Sequence, residues 1–411
     1  MLPVNEAETL ILDLIQPLQE TEIIALEAAA GRILAQPVTS KLDFPYWDNS
    51  AMDGYAVKYK DVEGCQAEQP VILEIIEEIP AGKKPEKSLK SGQTARIFTG
   101  AMLPEGADTI IMQENTERLG NQVKILAAPS LYKAYVRQKG EYYQAGKPLL
   151  GPGIAINAPE IAVLATAQAT QLTVYRRLKV AIFSSGDELV TPHQPLQPGQ
   201  IVDSNQYALA AFVASQGATA IPLGIVPDDP ENLRETISRA IKDADVVLST
   251  GGVSVGEYDY IEEILATLGA DIKIRAVGIT PGKPLTVARF SNGCIYFGIP
   301  GNPVSALVSC WRFVQPAMKK LSGLKDSWKP VFIKARSRHD LRSKGRLETY
   351  VWGKLLLVDG VYEFELAAGT HSSGNLINLA QTNGLAVMPV GQSFVGAGEE
   401  VTVLQVGSPY Q

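Results

Sequence analysis

Between residues 179 and 321 the chain alternates between two periods. Short apolar, β-branched runs (KVAIF, TAIPLGIV, DVVLS) are separated by longer stretches in which apolar residues recur every three or four positions. The spacing predicts helices over 205–216, capped by Asp203 or Ser204 and stopped at Gly217, and over 231–242 after Asp229-Pro230. Two more follow at 258–268 and 304–321; the last has Asn302 as cap and Pro303 at its first position. PLTVARF and CIYFGI flank Asn292-Gly293 and read as a hairpin. Strand–helix alternation of this kind implies a parallel sheet with helices on both faces.

The flanks read differently. An N-terminal helix is marked by Asn5 as cap, Glu8 completing a capping box, and an apolar stripe of Leu10, Ile11, Leu14, Ile15 and Leu18. After Gly31 the chain turns extended and proline-bearing. Residues 47–140 carry short strand candidates (YAVKY, PVILEIIEEI, QTARIF, DTIIM, QVKILA) between Gly, Pro and Asn punctuation, which suggests a small inserted barrel or sandwich. Beyond Trp328 the helical period disappears, and VFIKARSR, ETYVWGKLLLV, VYEFELA, LAVMPV and EEVTVLQV predict a separate β-domain. The expected class is therefore multidomain α/β and β: a doubly wound three-layer α/β/α domain, an inserted β-rich lid and a C-terminal barrel-like domain.

Composition narrows the function. A net charge of -7 over 411 residues argues against nucleic acid as principal partner, so any anion site must be built locally. Three scattered cysteines and three histidines speak against zinc or a disulfide framework. No long apolar run and no basic leader are visible, which makes the cytoplasm the default expectation and a membrane partner unexpected.

Three loops carry the chemistry. SSGDEL (184–189), STGGVSVGEYD (249–259) and PGNPVSA (300–306) each begin where an apolar run stops. Loops leaving the carboxyl ends of neighbouring strands converge on one crevice, where ligands bind. In the first, Ser185, Gly186, Asp187 and Glu188 offer a hydroxyl, a turn and paired carboxylates able to hold Mg²⁺ or act as acid and base. In the second, Gly251, Gly252 and Gly256 allow close backbone approach to an anion, Ser254 adds a hydroxyl, and Ser249 is a further binding candidate; the spacing matches neither a nicotinamide fingerprint nor a P-loop. The third offers Gly301 and Asn302, and the DSN turn adds Asp203, Ser204 and Asn205. Each loop alone would also serve a plain strand-to-helix turn. DNSAMDGYAV (48–57) and FTGAMLPEGAD (98–108) form two further strand-end turns, for which a capped loop is the simpler account.

In order along the chain, GRILA, DNSAMDGYAV, FTGAMLPEGAD, SSGDEL, DSN, GGVSVGEYD, PGKP, PGNPVSA and NGLAVMPVG resemble the molybdopterin molybdenumtransferase family, the MoeA type, which includes the E-domain of gephyrin-like proteins. The resemblance implies insertion of molybdate into the dithiolene of adenylylated molybdopterin, with release of AMP and dependence on a divalent metal, Mg²⁺. It places the functional positions on Asp53, Thr99, Glu188, Asp228, Asp259, Pro300 and Pro303, with Lys283 in PGKP beside them and Glu188 and Asp259 as the metal carboxylates. It also implies an elongated homodimer with a site shared between subunits, Asp53 and Thr99 reaching in from the partner, and an adenylyltransferase as a further partner. The four domains it implies are 1–26 with 174–326, 27–46 with 141–173, 47–140, and 327–411.

The chain departs from the family's text in places. Thr280 and Ala276 stand where relatives carry lysines, Tyr142 replaces an acid in KGEY, and SGDEL replaces TGDEL. Two missing cations leave room for another reading, a binding or scaffold homologue without turnover. A stand-alone molybdopterin adenylyltransferase is the third, though it would not need the lid or the C-terminal domain.

Overall fold

In this computed structural model, residues 1–252 and 260–410 are described. The chain forms two compact units. One comprises Met1–Ala35, Pro152–Ala158 and Gln171–Gln411; the other comprises Gln36–Gly151 and Pro159–Thr170.

The first unit holds the α/β domain. Its strands are β1 (Lys179–Ser185), β2 (Thr219–Val226), β3 (Val246–Thr250), β4 (Asp271–Ala276), β5 (Pro284–Arg289) and β6 (Ile295–Ile299). They lie in the order β2-β1-β3-β6-β5-β4. β2, β1, β3 and β6 are parallel, and β5 and β4 complete the sheet antiparallel through the expected hairpin. Period-two alternation gives each strand two buried faces. Val180, Ile182, Leu248 and Phe297 pack on one side with the N-terminal helix and helix Asn205–Ser215. Ala181, Phe183, Val247 and Tyr296 pack on the other with helices Pro230–Asp243 and Ile261–Thr267. These layers are the doubly wound arrangement the pattern predicts.

Helix Pro230–Asp243 starts as expected: Asp229 Oδ2 accepts from the Asn232 N–H at 2.9 Å, with Pro230 at the first position. Asp229→Ala should therefore lower stability by about 1 kcal/mol, read as an earlier denaturant midpoint at unchanged slope.

Two other helices differ from expectation. The N-terminal helix spans Val4–Leu14 with Pro3 at the cap position, so Asn5 lies inside the first turn. Glu8 closes no capping box; its Oε2 accepts from Arg312 Nη2 at 2.7 Å. Arg312 is 4% exposed, and its Nε donates to Tyr350 at 2.9 Å, so Glu8 is spent on pairing a buried charge and not on a surface cap. The predicted helix 304–321 is interrupted: Pro303–Ser309 and Gln315–Leu321 flank a π-turn at Cys310–Val314 that carries Arg312. Such bulges change the register of a helix face.

The C-terminal part of this unit is a closed barrel. β7 (Phe332–Ser337), β8 (Glu348–Val358), β9 (Val361–Leu366), β10 (Gly384–Met388) and β11 (Glu400–Gln405) run β8-β9-β7-β11-β10, and β10 pairs back onto β8. Leu355, Phe364, Met388 and Val403 fill it. Tyr350, Trp352 and Leu385 instead join the core that covers the α/β sheet, so the barrel wall is fixed beside the strand-end loops.

In the second unit six strands form one sheet, in the order Thr109–Met112, Gly54–Val57, Gln93–Ile97, Val71–Ile79, Gln122–Ile125, Thr116–Leu119. The expected barrel or sandwich is not what forms, since no pairing among the described residues joins the end strands. Tyr55 and Val57 pack on one face and Ala56 on the other, so a single sheet buries both faces under its own loops. Cys65, Cys294 and Cys310 are free and buried. No helix among the described residues is long and apolar enough to cross a membrane.

Candidate active site

The ends of the parallel strands frame a cleft of about 660 Å³. Ser185 closes β1 and leads into Glu188 on the next turn. Asp203, Ser204 and Asn205 enter from the turn before helix Asn205–Ser215. Gly251 and Gly252 follow β3, and Pro300, Gly301, Asn302 and Pro303 follow β6. Loops distant in sequence are tied together directly, because Asn205 Nδ2 donates to the Gly301 carbonyl at 2.7 Å.

Gly251 shows why glycine is required on this floor. Its φ is +86°, and a Cβ there would lie 2.2 Å from the Ser185 carbonyl oxygen. Only a residue without a side chain lets β3 turn so close to β1.

The carboxylates gather at the same end. The Asp228 N–H donates to Asp187 Oδ1 at 3.2 Å. Burial raises the Asp228 pKa; the Ser185 hydroxyl opposes this, and the charges of Asp187 and Glu188 raise it further. Asp228 Oδ1 and Ser185 Oγ are both buried without a hydrogen-bond partner of good geometry among the described residues. Unsatisfied buried oxygens beside like charges are what a hard cation relieves. No three His, Cys, Asp or Glu side chains form a metal cage among the described residues. Mg²⁺ commonly binds through one or two carboxylates and completes its shell with water and substrate oxygens, so the donor set fits that ion.

A second cleft of about 540 Å³ opens where the α/β loops meet the barrel. It shares Pro284, Asn302 and Ser305 with the first. Lys283 lies in its wall with Thr280, and the barrel side contributes Arg342, His371 and Ser373. Asn302 is not used as a side-chain cap; its Nδ2 donates to Ser373 Oγ at 3.2 Å and links the two walls. The Lys283 ammonium has no ion-pair partner among the described residues, and Arg342 only approaches Asp340 at 3.9 Å. Arg275 is committed to Glu262 at 2.7 Å. Of the two positions lacking lysine, Thr280 lines this cleft and Ala276 does not.

Several expectations are refined here. Ser249 is fully buried, its hydroxyl 2.5 Å from that of Tyr296, so it supports the floor from beneath and does not line the cleft. Asp203 lines the cleft, but its carboxylate also accepts from the Gln206 N–H at 3.2 Å and starts the helix. Gly186, at φ +155°, turns the chain so that Glu188 folds back over it. Ser254, Gly256 and Asp259 lie outside the described residues. Arg342, His371 and Ser373 went unnoticed in the sequence, although the cationic run LRSKGR (341–346) and the polar HSSG (371–374) were visible signals.

In the second unit Asp53 and Thr99 do meet. Asp53 Oδ1 accepts from the Thr99 N–H at 2.8 Å and the Thr99 hydroxyl at 2.7 Å. The Thr99 backbone bond, with its hydroxyl bond and the charge of Arg96, holds the Asp53 carboxyl below its ordinary pKa. Asp48 accepts from the Lys139 N–H, 91 positions away along the chain, and Ser50 donates to the Met52 carbonyl within its own loop. Tyr142 is 66% exposed.

Comparison with known proteins places this arrangement. Over 408 residues the chain is 59% identical to the molybdopterin molybdenumtransferase of a Nostoc species, covering 98% of this chain and 93% of that one. The chain belongs to the molybdopterin molybdenumtransferase family. The Haemophilus influenzae member is 33% identical over 406 residues, covering 98% of each chain. Family models agree segment by segment: MoeA N-terminal region (domain I and II) over residues 2–167, probable molybdopterin binding domain over 181–320, and MoeA C-terminal region (domain IV) over 334–406. A crystal structure of the molybdopterin biosynthesis MoeA protein from Pyrococcus horikoshii OT3 is similar at a TM-score of 0.85 and 27% identity, covering 98% of this chain and all (100%) of that one. The first cleft falls largely within the molybdopterin-binding segment of this family, and Arg342 and Ser373 enter the second from its C-terminal region.

Proposed function

We propose that this protein is a molybdenum insertase of molybdenum cofactor biosynthesis, taking adenylylated molybdopterin and molybdate and releasing AMP. The observation that carries this reading is the pair of joined clefts. One has a glycine floor and carboxylates, the other has two cations without strong partners, and Pro284, Asn302 and Ser305 belong to both.

In this reading Gly251 and Gly252 bring backbone close to the substrate's phosphates, while Pro300 and Pro303 shape the turn beside them. Lys283 and Arg342 hold the oxyanion from opposite walls, and Ser373 and Asn302 add polar contacts. Glu188, with Asp228 alongside, would hold Mg²⁺, which when bound supplies charge neutralisation at the phosphates. Asp53, fixed in its ionised form by Thr99, would enter the site from a second copy of the chain. An adenylyltransferase would hand over the substrate, and buried free cysteines accord with a cytoplasmic setting.

Arg342 supplies a cation that the motifs lack, which favours turnover over the scaffold reading. The barrel's share in the second cleft disfavours a stand-alone adenylyltransferase. The shared site is tested by mixing inactive Asp53→Ala with inactive Glu188→Gln. Heterodimers with one intact site should recover activity, and mixed dimers as dead as their parents would place both residues in one subunit's site.

The Thr280 difference gives a gain-of-function test. Thr280→Lys should lower the molybdate needed for half-maximal insertion several-fold, and salt should shrink the gain. Ala276→Lys, outside the cleft, should change little.

A further inference from the structure

The first cleft is polar on its floor and carries three exposed aliphatic side chains at its rim. Ile201 and Val202 are 55% and 42% exposed, and Leu376, in the same lining, is 41% exposed. They come from two separate segments of the chain and converge on one cavity, which scattered surface aliphatics do not do.

Their positions are fixed relative to the polar groups. Ile201–Val202 pairs in parallel with Leu189–Val190 as an isolated two-residue ladder. The Ile201 N–H donates to the Glu188 carbonyl and the Asp203 N–H to the Val190 carbonyl, each at 2.9 Å. Leu376 stands just before a tight turn at Ile377–Leu379 and donates its N–H to the Gly374 carbonyl at 3.1 Å. Ile201 and Val202 are thus held by the same backbone that presents Glu188 and Asp203.

Aliphatic side chains offer nothing to a phosphate or an oxyanion. They do suit the faces of a flat ring, which are apolar while its edges are polar. We propose that Ile201, Val202 and Leu376 form the seat for a heteroaromatic ring of the substrate. This rests on the reading above, that the cleft binds a nucleotide-linked pterin. The same chemistry arises from two parts of that substrate, the adenine and the pterin.

Titration calorimetry on the full-length protein with AMP, ribose 5-phosphate and 6-hydroxymethylpterin tests this. If the adenine sits on the rim, AMP binds about tenfold more tightly than ribose 5-phosphate. The variant Ile201→Ser with Val202→Ser and Leu376→Ser should then remove that margin and leave ribose 5-phosphate unaffected. If the pterin sits there, the same variant weakens 6-hydroxymethylpterin about tenfold and keeps the AMP margin. The conservative variant Ile201→Val with Leu376→Met should behave as wild type in either case.

Unchanged affinity for both rings in the serine variant overturns the seat. An equal loss for ribose 5-phosphate also overturns it, because the effect is then on the fold of the site. A change in oligomeric state on substitution would assign the rim to a subunit contact instead. A wild-type protein that binds none of the three probes overturns both the seat and the nucleotide reading of the cleft, whereas wild-type binding with unaltered variants overturns the seat alone.

Discussion

Replacing Lys283 and Arg342 together with alanine is expected to raise the molybdate needed for half-maximal insertion at least about a hundredfold. A charge-assisted hydrogen bond contributes about 1.5–3 kcal/mol, and 1.4 kcal/mol is a factor of ten. Arg342 is 78% exposed on its side chain, so solvent screening puts its share at the lower end. Two such contacts still give roughly two powers of ten. Affinity for adenylylated molybdopterin should change far less, because Gly251 and Gly252 belong to the other cleft. Molybdate dependence that is unaltered in the double variant would remove the oxyanion from this cleft.

The second large effect combines loss of activity with gain of stability. Asp228→Asn should lower AMP release at least about tenfold, as one of the carboxylates proposed to hold Mg²⁺ is lost, yet raise the melting temperature of the metal-free protein at neutral pH. Asp228 is half-buried beside Asp187 and Glu188, and its pKa is raised by burial and by their charge. A raised folded-state pKa means the folded protein holds this proton more tightly than the unfolded chain does. The favourable contribution is complete below the ordinary carboxylate range and is lost as pH rises through the raised value. The asparagine variant escapes that loss. Its melting advantage should therefore be absent in acid, appear as pH rises, and shrink on adding Mg²⁺. A variant less stable than wild type at neutral pH would show that Asp228 is structurally supported, not strained.

Much of the fold could be read from sequence because the governing patterns are local. Strands buried on both faces leave runs such as KVAIF, and amphipathic helices leave a 3.6-residue repeat; both mark out the α/β core. The barrel strands likewise coincide with period-two runs. Asp53 and Thr99 were singled out in turns far apart in sequence, and the fold joins them at 2.7 Å. What could not be read depends on partners distant in the chain. Nothing around Glu8 announces an arginine 304 positions away, and nothing in CWRFV announces a π-turn. Ser249 was misread because period alone does not say which residue of DVVLS is the last one buried. Arg342 and Ser373 reach the second cleft only because one wall of the barrel packs on the α/β core. The strands of the second unit are legible in the sequence but not their single-sheet arrangement, which depends on how loops cover both faces.

Transfer of molybdenum onto the pterin dithiolene can be followed directly. Purified protein would be mixed with adenylylated molybdopterin, labelled molybdate and Mg²⁺, and both pterin-bound molybdenum and free AMP counted over time. The two are expected to rise together in equal amounts, both to stop when either molybdate or Mg²⁺ is omitted, and both to be suppressed by Glu188→Gln. AMP released without molybdenum appearing on the pterin, or adenylylated molybdopterin bound and left unchanged, would contradict that transfer.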